Sequence, residues 1–171
     1  TLISLGEVTM RGSAGIQIDV KSGAIVDLNL QLPKDINILN VTGPSIRNHK
    51  NIIENDTQNI NIEFTQEMQG QFRIDVNYEV ILGENKSELQ VPSLQVQGSE
   101  VQHGRIAVEA LTAVEIQTAE SKQLSTLAIN ELPQQLVLKT TNPILLAFKY
   151  VNTESPHSLK LSMTRHKELD V

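Results

Sequence analysis

Apolar and polar residues alternate along this chain almost from end to end, and the alternation predicts strands. Ile16, Ile18 and Val20 alternate with Gln17 and Asp19, and Leu28, Leu30 and Leu32 with Asn29 and Gln31. Ile36 and Ile38 continue the pattern after Pro33, and Ile60, Ile62 and Phe64 alternate with Asn61 and Glu63. The longest run is Phe72, Ile74, Val76, Tyr78 and Val80, with Arg73, Asp75, Asn77 and Glu79 on the opposite parity. Successive side chains of a strand point to opposite faces, so this run has one apolar and one polar face. The second half follows with Ile106, Val108 and Ala110, then Val114 and Ile116, Leu136 and Leu138, Leu146, Phe148 and Tyr150, and finally Leu159, Leu161 and Met163. A helical period finds support only around Gln66 to Gly70 and Glu120 to Leu124. Neither is long enough to bury a stripe, so each allows at most one turn.

Breakers fall between the runs, as an antiparallel sheet protein requires. Ser22-Gly23 reads as a hairpin turn, and Leu32-Pro33-Lys34-Asp35, Thr42-Gly43-Pro44 and Gly83-Glu84-Asn85-Lys86 each end a strand. Prolines 33, 92, 133 and 143 belong at strand ends or edges, because a central strand needs the amide hydrogen that proline lacks. Residues 48–59 form the most polar stretch and read as a mobile loop. The expected fold is all-β, an antiparallel β-sandwich of about a dozen strands with little or no helix.

Two features bear on domain organisation. Leu32-Pro33-Lys34-Asp35-Ile36-Asn37-Ile38 is echoed by Leu132-Pro133-Gln134-Gln135-Leu136-Val137-Leu138, as a duplication or as one strand-turn-strand solution used twice. A seam lies in the 83–98 region, where Val91, Leu94 and Val96 make the connection too apolar for a free linker. Residues 1–171 are therefore read as one continuous domain, with a two-part division at the seam as the alternative. The start at Thr1, without initiator methionine, basic n-region or signal h-region, suggests a segment excised from a longer chain in preference to a leader already removed.

Composition narrows the function classes. Acidic residues outnumber basic ones, 20 to 14, and the net charge of -6 argues against nucleic acid, which needs clustered Lys and Arg. The one basic run, Arg165-His166-Lys167, is followed by Glu168 and Asp170 and reads as a solvated strand end. No apolar run approaches the roughly 20 residues of a spanning helix, so no transmembrane segment is expected. The absence of cysteine removes disulfides, thiolate chemistry and Cys-ligated zinc together.

Candidate chemistry is sparse. His49, His103, His157 and His166 show no metal-ligand spacing, and each reads as a loop or strand-end histidine. No nucleophile elbow is present, since Gly98-Ser99-Glu100 lacks the second glycine, and there is no phosphate loop. Asp19, Asp27, Glu63, Asp75, Glu79, Glu109 and Glu115 fall on the polar parity of strands and read as a hydrated face. Glu54-Asn55-Asp56-Thr57 offers oxygen ligands but lacks the carboxylate series of a calcium loop, so it reads as a polar turn. The aromatics Phe64, Phe72, Tyr78, Phe148 and Tyr150 all sit on apolar parities and read as core, which disfavours a sugar-stacking platform. Asn40, Asn55 and Asn85 open N-x-[ST] triplets, which matter only in a secreted eukaryotic protein. No metal, cofactor or catalytic residue is expected.

Val91-Pro92-Ser93-Leu94 leading to Gly98, then Gln102-His103-Gly104-Arg105-Ile106-Ala107-Val108-Glu109, resembles a pattern in modules of very large bacterial envelope proteins. Leu30-Gln31-Leu32-Pro33 followed by Val41-Thr42-Gly43 is similar to turns of the same modules. The resemblance implies tandem β-sandwich domains in the cell envelope, periplasmic or extracellular, with scaffolding or interaction roles toward neighbouring domains of the chain or another envelope protein. The 48–59 stretch is the first candidate contact surface and the polar parity of 71–80 the second. A ligand- or carbohydrate-binding accessory domain of an enzyme is the alternative. Its mark would be a concave face gathering Asp19, Asp75, Glu79 and Glu109 beside an exposed aromatic.

Overall fold

The computed structural model describes residues 1–83, 86–99, 101–152 and 156–165. Among these, twelve strands follow in chain order: β1 (Leu2–Leu5), β2 (Thr9–Pro33), β3 (Asn37–Thr42), β4 (Ile46–Glu54), β5 (Thr57–Ile81), β6 (Glu88–Val91), β7 (Gln95–Val96), β8 (Gln102–Ala110), β9 (Val114–Lys122), β10 (Leu124–Thr126), β11 (Ile144–Asn152) and β12 (Ser158–Arg165). Nine of them form one sheet in the order β10-β11-β8-β1-β2-β5-β3, with β4 also on β5 and β7 also on β2. The other sheet is β6-β12-β9. Pairing is antiparallel except between β1 and β8. The all-β, two-sheet, mainly antiparallel architecture expected from the alternation is present.

Two strands are far longer than the sequence pattern suggested. β2 and β5 each run 25 residues, which is about 80 Å if straight at roughly 3.3 Å per residue. A compact chain of this length is only about 40 Å across, so both strands have to bend. The bend is recorded by Phe64 and Phe72, eight residues apart on β5 and hence about 26 Å apart in a straight strand. Their rings meet edge to face at 5.5 Å. The strand therefore turns back on itself between them, with Met68 buried on the inside of the corner and Gln66, Glu67, Gln69 and Gly70 exposed on the outside.

The corner explains two departures from the sequence reading. Ser22-Gly23 is not a hairpin turn, and Gln66 to Gly70 is not a turn of helix: both are the outer side of the bend inside β2 and β5. Gly23 and Gly70 take positive φ there (75° and 65°), and so does Ser45 (57°) where β3 hands over to β4 beside the same corner. Val20 opposes Gly70 on one side of the bend and Asp27 opposes Glu63 on the other. These pairs share one register, because extra residues on β2 before Ile25 are balanced by extra residues on β5 before Met68. The apolar parity thus stays on the core face throughout, and a slip by one would turn every side chain outward.

Other corrections are local. Residues 48–59 are not a loop but β4, a tight turn at Asn55-Asp56 and the start of β5. The Glu120–Leu124 stretch is the end of β9 and the start of β10, separated by Gln123 at positive φ, with no helix. Leu136 and Leu138 are not in a strand: a 3-10 turn (Ile129–Glu131) is followed by the short helix α1 (Gln134–Val137), which begins just after Pro133. The echo of residues 32–38 in 132–138 is therefore one of sequence only. Pro can precede either element, but Ile36 and Ile38 are β-branched where Leu136 and Leu138 are good helix formers. The turn read at 83–86 falls partly on Glu84 and Asn85, which lie outside the described residues.

The core is filled by the apolar parity of both sheets. Ile3, Met10, Leu30, Ile60, Ile74 and Val108 of the large sheet pack in one cluster with Leu89, Val91, Ile116, Leu159, Leu161 and Met163 of the small one. In the seam, Leu89 and Val91 are buried in this cluster and Leu94 and Val96 pack against it, while residues 86–88, 97 and 98 are exposed. Gly12 faces Tyr78 across the β2–β5 ladder, and a β-carbon on Gly12 would overlap the buried tyrosine ring. Gly12→Ala is expected to cost about 2–3 kcal/mol, since the ring has no room to move. Gly23→Ala, in open space at positive φ, should cost only about 1 kcal/mol. Urea denaturation of the two variants measures the difference.

Candidate interaction surface

The outer face of the large sheet is crossed by residues 127–143. Beneath this strap lies a small apolar patch, in which Leu2, Ala107, Ala147 and Leu132 are buried with Leu127, Leu136 and Ile144 packed around them. Polar contacts fix the second half of the strap, from Gln135 to Asn142. Glu109, only 2% exposed, accepts the backbone N–H of Thr141 (3.0 Å) and Asn142 (2.9 Å) on one carboxylate oxygen and the Ser4 hydroxyl (2.7 Å) on the other. Glu109 is thus no part of a hydrated face. A buried carboxylate is tolerated only when its lone pairs are used, and here three donors use them.

Further along, Lys139 Nζ reaches Ser13 Oγ at 3.3 Å and Asp75 Oδ1 at 3.5 Å. Asp75 Oδ1 also accepts from Arg73 Nε and Nη2 at 3.3 and 3.2 Å, and Arg73 Nη1 donates to the Gln135 side chain. The polar parity of 71–80 is thereby partly occupied by the strap: Asp75 lies between two cations, and Arg73 bridges sheet and strap. Asn77 donates to Asn40 at 2.7 Å. Asp19 is exposed on β2, opposite Gln71. Asp19, Asp75, Glu79 and Glu109 are not gathered in a cleft beside an aromatic. Phe64, Phe72, Tyr78 and Phe148 are buried and Tyr150 is half-buried.

His157 is a buried histidine rather than a solvated one. It stacks on Tyr150 with ring centroids 3.8 Å apart, and its backbone N–H donates to Asn152 Oδ1 at 3.0 Å. That bond sets the Asn152 amide so that its Nδ2 donates to His157 Nδ1 at 3.0 Å, which requires an unprotonated Nδ1. Burial pushes the imidazole down from 6.5 to about 4. His49 is exposed on β4 with Asn51 Oδ1 3.4 Å from its Nδ1, and His103 is exposed on β8. His103, Arg105, Lys149 and Tyr150 line one shallow concavity. Among the described residues no three His, Asp or Glu side chains are placed to hold a metal ion.

The 48–59 segment, the first candidate, is the most open ordered element. All residues of β4 after Ile46 are exposed, including Ile52 and Ile53 at 51% and 62%. Its ladder is with β5 alone. The Glu54–Thr57 turn carries a Thr57 Oγ1 to Glu54 carbonyl bond at 3.1 Å, and Asp56 pairs with Lys34 at 3.2 Å, so the stretch read as a polar turn is the turn of the β4–β5 hairpin. Lys50 pairs with Glu63 at 3.7 Å. Asn40 and Asn55 of the N-x-[ST] triplets are exposed, the second in this turn. Arg165, the last residue of β12, is half-buried, and its Nη2 donates to the Glu7 and Gly83 carbonyls at 2.6 and 3.3 Å. His166, Lys167, Glu168, Asp170, Asn85 and Glu100 lie outside the described residues. No helix among the described residues is long and apolar enough to cross a membrane. In comparisons with known proteins, no family model matches the chain and no curated protein matches it.

Two outcomes follow from this geometry. Glu109→Leu leaves two backbone amides and a hydroxyl without their acceptor and should cost about 2–4 kcal/mol. Hydrogen exchange at residues 139–142 should then accelerate ahead of global unfolding. For His157, the unfolded chain takes up a proton near pH 6.5 that the folded one refuses until about 4. Its contribution is therefore complete above pH 6.5, declines as the pH falls through that window and is lost below about 4. His157→Phe keeps a ring against Tyr150 and should flatten this part of the pH profile, as read by urea midpoints between pH 7.5 and 4.

Proposed function

We propose that this chain is a non-catalytic structural and interaction module, residues 1–171 folding as one β-sandwich unit of a larger bacterial cell-envelope protein. The observation that supports this best is β4: a nine-residue edge strand, open on both faces and along one backbone edge. Glu109, Asp75, Arg73 and Lys139 hold the strap, and Asn152 at the end of β11 bonds to His157 just before β12. Such residues act as fasteners, and a module built for presentation needs them more than it needs a cleft. Its partners are neighbouring domains of the same chain or another envelope protein, met through the β4 hairpin and, secondly, the part of the 71–80 polar parity that the strap leaves open. The envelope assignment rests on the resemblance of the 91–109 and 30–43 segments to modules of large bacterial envelope proteins.

The rival, a carbohydrate-binding accessory domain, draws support from the outward acids Asp75 and Glu79 alone, without an exposed ring for stacking. Calorimetric titration with a panel of cell-wall and plant-wall oligosaccharides should give no saturable heat. Saturable binding that Asp75→Asn abolishes would replace the present reading with the rival. For location, a Lys50→Cys chain carries one thiol in an otherwise cysteine-free sequence. In intact cells making the full-length protein, the labelling by a small membrane-impermeant maleimide gained over the same protein without the substitution should be as fast as after lysis. Protection until lysis would refute the envelope assignment.

A further inference from the structure

The open edge of β4 has a register that fits itself. The chain turns between Glu54 and Thr57 over two residues, so Glu54 exchanges hydrogen bonds with Thr57, and Ile52, Lys50 and Asn48 follow it on the side facing β5. The backbone groups of His49, Asn51 and Ile53 then point to the unpaired side. An edge of this kind is a template for another strand. Natural edges are usually blunted by proline, by shortness or by charge. β4 has an irregularity between Ile46 and Asn48 and carries the charges Arg47, Lys50 and Glu54, but it has no proline, spans nine residues, and exposes Ile52 and Ile53 on its two faces.

We propose that a second copy of this chain docks on this edge, β4 against β4 and antiparallel, about a two-fold axis at Ile52. The proposal rests on the interaction reading above and names the partner. An axis perpendicular to the sheet pairs positions of equal parity, so few registers are available. Centring on Lys50 sets that lysine against itself, and centring on Asn51 sets Lys50 against Ile52. Centring on Ile52 sets Lys50 against Glu54 of the second copy twice, Asn51 against Ile53 twice, and the two Ile52 side chains against each other. Cross-strand neighbours of opposite charge and paired aliphatics are the favourable combinations, and like charges directly opposite are unfavourable. The outward-pointing Asn51 and Ile53 become the hydrogen-bonded pair, while Ile52 meets Ile52 at a non-hydrogen-bonded position. A ladder this short buries less surface than a stable dimer needs, so association is weak and depends on concentration or tethering.

The register makes the test specific, because the chain has no cysteine of its own. At a non-hydrogen-bonded pair the two Cα atoms are about 4.5 Å apart, within disulfide range. Ile52→Cys in the 171-residue chain should oxidise to a covalent dimer at least tenfold faster than Val26→Cys, an equally exposed valine at the sheet corner. A mixture of Lys50→Cys and Glu54→Cys chains should cross-link, and each variant alone should not. Urea midpoints within 0.3 M of the parent show that the variants are folded. Ile52→Cys no faster than Val26→Cys overturns the proposal, as does cross-linking of Lys50→Cys alone at the rate of the mixture. A chain that fails this test and still binds a different envelope domain through β4 would keep the interaction reading and eliminate the second copy as occupant.

Discussion

Two strands of 25 residues that share one ladder must bend together, and the rest of the fold depends on their doing so at the same place. If only one bent, the pairing would open and strand amides would be left without partners in the interior. The chain meets this constraint with matched irregularities: extra residues on β2 at 21–24 and on β5 at 64–67, with Gly23 and Gly70 supplying backbone conformations that side chains with a β-carbon disfavour. Since the two irregularities cancel, the register beyond the corner is the one before it. The reward is a sheet folded over its own apolar face, in which Phe64 closes on Phe72 and a single cluster of aliphatic side chains serves both arms.

A folded sheet creates a second requirement, because its outer face also carries apolar residues where β1, β8 and β11 adjoin. Leu2, Ala107 and Ala147 would be exposed there without the strap. The strap has little regular structure of its own, one 3-10 turn and a four-residue helix, so its position is set by what it bonds to. Glu109 does this from below. Placed one residue before the end of β8, after three buried residues, it pairs with the backbone amides of Thr141 and Asn142, donors that no substitution in the strap short of proline can remove. A salt bridge to a strap side chain would have been easier to lose.

Strand content and core membership were legible from period alone, because even-numbered positions from Met10 to Val20 and from Leu28 to Leu32 on β2, and from Gln58 to Phe64 and from Phe72 to Tyr78 on β5, share a face on either side of the bend. The bend itself was not. Lys21 to Ala24 and Thr65 to Glu67 are polar or small because they lie on the outside of a corner, and in a one-dimensional pattern that looks the same as a turn between two strands. Residues 48–59 were misread for a related reason: β4 has solvent on both faces, so selection for alternation is absent and a strand held only by its neighbour's backbone looks like a loop. Glu109 and His157 were misread because parity and flanking polarity predict exposure only where nothing covers the face. The strap covers Glu109, and Asn152 and Tyr150 enclose His157. In each case the missing information was a contact between residues distant in sequence.

The same lack of alternation in β4 bears on what the strand is for. An edge that needed only to be inert could have been shortened, since Ile46 to Asn48 already carries an irregularity that would end the pairing cheaply. Instead the ladder continues to Glu54, fixing the backbone of eight exposed residues at an entropic cost of roughly 1–2 kcal/mol each. Little apolar burial offsets that cost in the isolated chain, since neither Ile52 nor Ile53 is covered. Ladder hydrogen bonds contribute only about 1 kcal/mol apiece net of water, so the strand is near balance. A second strand on its open side would add bonds without further ordering and would cover the two isoleucines. β4 is pre-organised for that addition, and the marginal stability of its free state makes the pairing reversible.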